Sequence, residues 1–173
     1  MSQTITISLG TPVEFKAGKY PDLNLREFTV GEWAVAEAQS NPTPIFIKLI
    51  SLVSAWPEEA VSELPWTQFD EATAFLGEML NRSYNEPRSS IDLDTPIEFN
   101  GKTYDTLALR EFKAGEKSKA ETHATRTLQD IQLMSFVSGW PVPAIRRLPI
   151  TKFEEGRAFL LGFIRRGPAT GES

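Results

Sequence analysis

The 173-residue chain has no cysteine and a single histidine, His123. No disulfide, thiolate nucleophile or cysteine-based zinc site can be built from it, and one histidine cannot assemble a His/Cys cluster. The phosphate-cradling G-x-x-x-x-G-K-[ST] loop and the G-x-G-x-x-G turn are missing. Ser54 and Ser138 precede tryptophans, outside any G-x-S-x-G elbow, and read as helix-end residues. No catalytic residue, cofactor or metal is therefore expected. Long apolar runs are also missing: nothing approaches the roughly 20 residues that span a bilayer. The opening MSQTITISLG has no basic n-region, so it does not read as a signal peptide. The expectation is a soluble, cytoplasmic protein with no membrane partner. A net charge of −5 argues against a nucleic-acid partner.

What the sequence has is repetition. LNLREFTVGE at Leu23–Glu32 returns as LALREFKAGE at Leu107–Glu116. Sliding the chain by 84 residues aligns Ile7–Leu80 with Ile91–Ile164 without a gap, and 33 of the 74 positions are identical. This is a tandem duplication, and the period is longer than the 20–50 residues of solenoid units. The expected organisation is a first repeat at 1–83, a linker at 84–90, a second repeat at 91–164 and a fraying tail at 165–173. The linker is polar and carries Pro87. The halves differ in charge: residues 1–84 carry −6 and the remainder +1.

Each repeat reads as strands followed by helices. TITISL alternates, VEF and AGKY suggest a strand and a turn, and DLNLREF puts Leu23 and Leu25 on one face. Asn100-Gly101 is a strong hairpin signal in the second repeat. Thr29 and Glu32 have capping-box spacing; Lys113 replaces the threonine in the second repeat. Pro44–Ala55 predicts a second helix, Pro57-Glu58-Glu59 a third, and Thr67–Asp70 and Thr151–Glu154 the caps of a fourth. The fold class is α+β: two copies of a small domain, each a short antiparallel β-meander followed by about four α-helices.

Residues kept between copies report the shared fold, so the differences are more informative about surfaces. Trp33, Val35, Ile45 and Phe46 stand where the second repeat has Lys117, Lys119, Gln129 and Asp130. A position that accepts Lys, Gln or Asp is expected to face water. The four apolar residues are then candidates for a partner-binding surface or for packing between the repeats. Arg146, Arg147, Arg157, Arg165 and Arg166 suggest a basic strip on the last helices, against a plain solvated face. The matched acids Glu14/Glu98, Glu27/Glu111 and Glu32/Glu116 read better as caps and ion-pair members than as a catalytic pair.

TPIEFNGKTYDTLALREFKAGE and VSGWPVPAIRRLPITKFEEGRAFLLGF resemble the opening and ending of the Mu-like phage tail assembly chaperones. The opening has the Pro-Ile-x-x-x-Gly-x-x-Tyr strand pair, then a Leu-x-Leu-Arg-Glu strand and a helix. The resemblance covers nearly all of each repeat. This chain departs from it in carrying two units, and in having Phe28 and Phe112 where many members have proline. The resemblance implies a non-catalytic chaperone that binds the tape measure protein, and possibly the tail tube protein, in the host cytoplasm. It implies absence from the mature virion, and it contributes no catalytic residues. Self-association is compatible with it. The alternative is a structural tail or baseplate component, which would stay with the particle.

Overall fold

The computed structural model describes residues 3–84, 86 and 88–165. In the first repeat, β1 (Thr4–Phe15) pairs antiparallel with β2 (Gly18–Arg26). Four helices follow: α1 (Val30–Ala36), α2 (Pro42–Ser54), α3 (Glu58–Ser62) and α4 (Trp66–Leu80). The second repeat has the same elements in the same order. They are β3 (Ser90–Phe99), β4 (Lys102–Ala108), α5 (Ala114–Ala120), α6 (Arg126–Ser138), α7 (Val142–Ile145) and α8 (Ile150–Arg165). The two halves thus share one α+β fold. Ser90, placed in the linker by its polarity, already belongs to β3. Except for Arg165, the expected tail lies outside the described residues.

The strand segments of the expected meander fuse into a single hairpin in each repeat. TITISL and VEF are one strand, because the register shifts between Ser8 and Val13 without breaking the pair. Residues 9–12 there face only Pro21, a bulge beside a residue with no amide to donate. Asp92 and Ile97 flank the same irregularity in β3. AGKY and DLNLR likewise join as β2, with Leu23 opposite Ile7 and Tyr20 opposite Val13. The inner hairpin face packs on the helices. Leu23, Leu25, Leu49, Ile50, Leu76 and Met79 are fully buried in the first repeat; Leu107, Ile131, Met134 and Ile145 are in the second.

The helix signals come from two sources. The Thr29 hydroxyl accepts from the Glu32 amide at 3.2 Å, and the Glu32 carboxylate accepts from the Thr29 amide at 2.8 Å, closing the capping box. With Lys113 in place of threonine, only the second bond forms, from the Lys113 amide to Glu116 at 2.8 Å. Thr67 and Thr151 are not caps. Their helices begin one residue earlier, after Pro65 and Pro149, whose fixed φ suits a helix start. Ser54 and Ser138 do end helices: each donates to the carbonyl four residues back and accepts from a tryptophan amide.

The ends of α2 and α6 differ in one telling residue. Ala55 caps α2 at φ 62° and Gly139 caps α6 at φ 72°, both left-handed. A Cβ is disfavoured there by roughly 1–2 kcal/mol. Ala55→Gly should therefore raise unfolding free energy by about 1 kcal/mol, and Gly139→Ala should lower it by about as much. Urea unfolding of both variants checks this; equal signs would contradict the left-handed caps.

The repeats meet along a seam built from the signature stretch. Phe28–Gly31 runs antiparallel to Arg146–Ile150, with Thr29 opposite Pro149. Val30 donates to the Leu148 carbonyl at 3.0 Å, Gly31 to the Arg146 carbonyl at 2.9 Å, and Ile150 to the Phe28 carbonyl at 2.9 Å. The Glu27 carboxylate accepts from both the amide and the hydroxyl of Thr151. The Tyr84 hydroxyl donates to the Thr151 carbonyl at 2.6 Å, so the start of the linker is also docked on the second repeat. Burial there pushes the Tyr84 phenol up to about 12.

Candidate partner-binding surface

The repeated ten residues form a clamp between strand and helix. Leu23 and Leu25 end the buried face of β2, and the next residue, Arg26, turns outward. Its guanidinium grips Glu32 with two bonds, at 3.0 and 2.6 Å, and so holds the first turn of α1 against the strand. Arg110 and Glu116 repeat the geometry at 3.0 and 2.6 Å. Burial works against ionisation of Glu32, but Arg26 and the Thr29 amide and hydroxyl outweigh it and hold the carboxyl below its ordinary 4.5. At Glu116, Arg110 and the Lys113 amide bring the carboxyl down to about 2.

The clamps set an acid limit. A carboxyl whose pKa is depressed on folding stabilises the fold above its unfolded value, and that stability is lost as pH falls through the folded value. Between about pH 4.5 and 2 the folded chain should therefore lose stability. Arg26→Gln combined with Arg110→Gln should flatten that slope. Urea midpoints across the window test it; an unchanged slope would place the acid sensitivity elsewhere.

The four candidate contact residues occupy different settings. Trp33 and Val35 lie on α1, Ile45 and Phe46 on α2, and the two helices pack together. Val35 is 41% exposed. Ile45 and Phe46 are half-buried against the core. Trp33 lines a gap of about 200 Å³ at the seam, which it shares with Glu37, Arg126, Asp130, Glu154 and Arg157. The side chain of Trp33 is thus at the boundary between repeats, with its ring 6.1 Å from that of Phe28.

The second repeat corrects the expectation that Lys117, Lys119, Gln129 and Asp130 all face water. Lys119 does, and Lys117 and Gln129 are half-buried, but Asp130 is only 8% exposed. Packing of the first repeat over α6 covers it, and Arg126 one turn away pairs with it at 3.2 Å. Burial raises the Asp130 carboxyl despite Arg126, and raises Glu154 despite its bonds to Arg157 at 2.8 and 2.5 Å. Asp130 and Glu154 are each tied to an arginine of their own helix, whereas the third acid lining the gap, Glu37, has its Oε2 buried without a hydrogen-bond partner.

Nor do the arginines line up as a strip. Arg147 reaches back to the Glu98 carbonyl at 2.6 Å and lies over the Phe99 ring, Arg146 sits in the seam, and Arg157 holds Glu154. The Arg165 side chain and Arg166 fall outside the described residues. His123 is exposed in the turn after α5. Among the described residues, no group of three or more His, Cys, Asp or Glu side chains is arranged to hold a metal ion. No helix among them is long and apolar enough to cross a membrane.

The most exposed large apolar side chain among the described residues, Trp66 at 67%, was not singled out from the sequence. It opens α4 after Leu64-Pro65, and its counterpart Ile150 is fully buried in the seam. The Trp/Ile swap is conservative in hydrophobicity, so comparing the copies for polarity passes over it.

A family model described as "Phage tail assembly chaperone proteins, E, or 41 or 14" matches twice, over residues 6–81 and 90–165. The chain belongs to this tail assembly chaperone family. The two matches fall on the two hairpin-plus-helices units, so the chaperone is a tandem duplication of the family's fold. No curated protein and no solved structure matches the chain. Membership supports a role in phage tail assembly and contact with tail proteins.

Proposed function

We propose that this tail assembly chaperone acts without catalysis, by binding the tape measure protein and keeping it soluble while the tail tube assembles around it. The double family match, covering both repeats from hairpin to last helix, carries this reading. The reading places the chaperone in the host cytoplasm during assembly and outside the finished virion. The tape measure protein would be held as helices against an apolar surface with a charged rim, so that it can be released.

On the chaperone, the proposed contact surface is the α1–α2 face of the first repeat, through Trp33, Val35, Ile45 and Phe46. Val35 is its most open member. Burying two or three such groups, at roughly 1.5–3 kcal/mol each, would dominate a contact. The test is co-expression with the tape measure protein, read as the soluble fraction and as co-purification. Both should rise with the chaperone present. Both should fall for Trp33→Lys combined with Phe46→Asp, which copies residues the second repeat carries. Because Trp33 also lines the seam, Val35→Lys alone is the control that leaves the seam intact. A tape measure protein equally insoluble with and without the chaperone would reject the role. Capture unaffected by Val35→Lys and by the double change would reject the surface.

A further inference from the structure

The seam that joins the two repeats is heterologous: the first repeat contributes Phe28–Gly31 and the second contributes Arg146–Ile150. Each repeat, however, carries both halves of this contact. The unused half of the second repeat is the stretch 112–115, and the unused half of the first is the stretch 62–66. We propose that a second copy of this chain docks there, Phe112–Gly115 of one chain on the Leu64-Pro65-Trp66 step of the next, repeating the internal seam between chains.

Three observations carry this. First, the contact residues are present at the free ends. Glu27, Phe28 and Gly31 recur as Glu111, Phe112 and Gly115, and Leu148, Pro149 and Thr151 recur as Leu64, Pro65 and Thr67. Among the described residues, no backbone hydrogen bond joins 112–115 or 62–66 to a distant part of the chain.

Second, the free ends are open where the seam is closed. Ile150 is fully buried, whereas its counterpart Trp66 is 67% exposed. A Cβ on Gly31 would lie 2.7 Å from the Arg146 carbonyl oxygen, so the seam requires glycine; a Cβ on Gly115 would meet nothing within 4 Å. Glycine in a helix with open space around it is less favourable than alanine and gains nothing within the chain. Gly77 and Gly162 are helical glycines with equally open surroundings. What sets Gly115 apart is its equivalence to Gly31, so that a neighbour approaching as Arg146 approaches Gly31 would require glycine there.

Third, the substitutions at the two ends complement each other. In the seam, Trp33 shares its gap with Asp130 and Glu154. At the free ends the equivalent positions are Lys117 on one side and Phe46 and Asp70 on the other. Lys117 is half-buried beside Glu121, and in a repeated seam it would come opposite Asp70. The end of the second repeat adds Lys113 and Lys119, and the step in the first adds Glu63. Opposite charges therefore face each other between chains. A head-to-tail contact leaves one free half at each end of every assembly, so addition continues as an open helical array or until a ring closes.

The test uses the full chain in analytical ultracentrifugation across a concentration series, with circular dichroism to confirm folding. The wild type should sediment as two or more copies, with mass rising with concentration. Gly115→Ala, which leaves the folded monomer undisturbed, should weaken association at least tenfold, as should Trp66→Lys. Mixing the two variants should restore dimers and nothing larger, because each retains the half the other has lost. A wild type that stays monomeric throughout would overturn the proposal. So would variants that associate like the wild type, or a mixture that forms no dimer.

Discussion

Phe28→Ala is expected to lower the unfolding free energy by about 3–5 kcal/mol, the usual cost of removing a fully enclosed phenylalanine. Phe28 has no exposed surface, and its carbonyl accepts from Ile150 across the seam, so the loss falls on the first repeat and on its joint with the second. Phe112→Ala removes the same side chain from the equivalent place and should cost only about 1–2 kcal/mol. Phe112 is half-buried, with its ring 6.2 Å from that of Phe163. Urea unfolding of both variants gives the comparison. Equal losses would mean that the seam adds nothing to the burial of Phe28. Since a typical domain has only about 5–15 kcal/mol in hand, the first variant should be visibly less stable at ordinary temperature.

Gly31→Ala should destabilise by about 2 kcal/mol although alanine is the better helix former. The new Cβ would stand 2.7 Å from a backbone oxygen, so the seam must open and its two neighbouring backbone bonds lengthen or break. Gly115→Ala should do the reverse in the monomer and stabilise by up to about 1 kcal/mol, since nothing stands in its way. The pair reads the seam through a sign rather than a size. Thermal melts at a concentration low enough to keep chains apart are the measurement. Stabilisation by both substitutions would mean the two repeats are not joined along Phe28–Gly31.

Much of the fold was legible because it is local. Alternation in TITISL, the Asn100-Gly101 turn and Thr29 with Glu32 each act within one turn or one hairpin, and each appears where it was read. The second helix, read as Pro44–Ala55, instead opens two residues earlier at Pro42, because the first of its two prolines also suits a helix start. The separate strands of a meander were misread because a bulge interrupts the alternation without ending the strand, and spacing alone cannot tell the two apart. The duplication, the lack of metal-binding or phosphate-binding motifs, and the family signature are also properties of residue order, so the sequence by itself determined them.

Tertiary structure decided what the pattern could not encode, namely which surface covers which. Thr151 has the spacing of a capping box with Glu154, yet its hydroxyl goes to Glu27, 124 residues away, and Glu154 turns to Arg157. Asp130 is polar and lies in a position read as solvent-facing, yet packing between the repeats buries it. Trp33 and Trp66 are both large and apolar, but one borders the seam and the other stands in solvent. The physical reason is the same in each case. Periodicity and capping report the two or three neighbours a residue has along its own element, whereas burial depends on the element that packs over it. In a duplicated chain, identical stretches meet different neighbours, and only the assembled structure distinguishes Gly31 from Gly115.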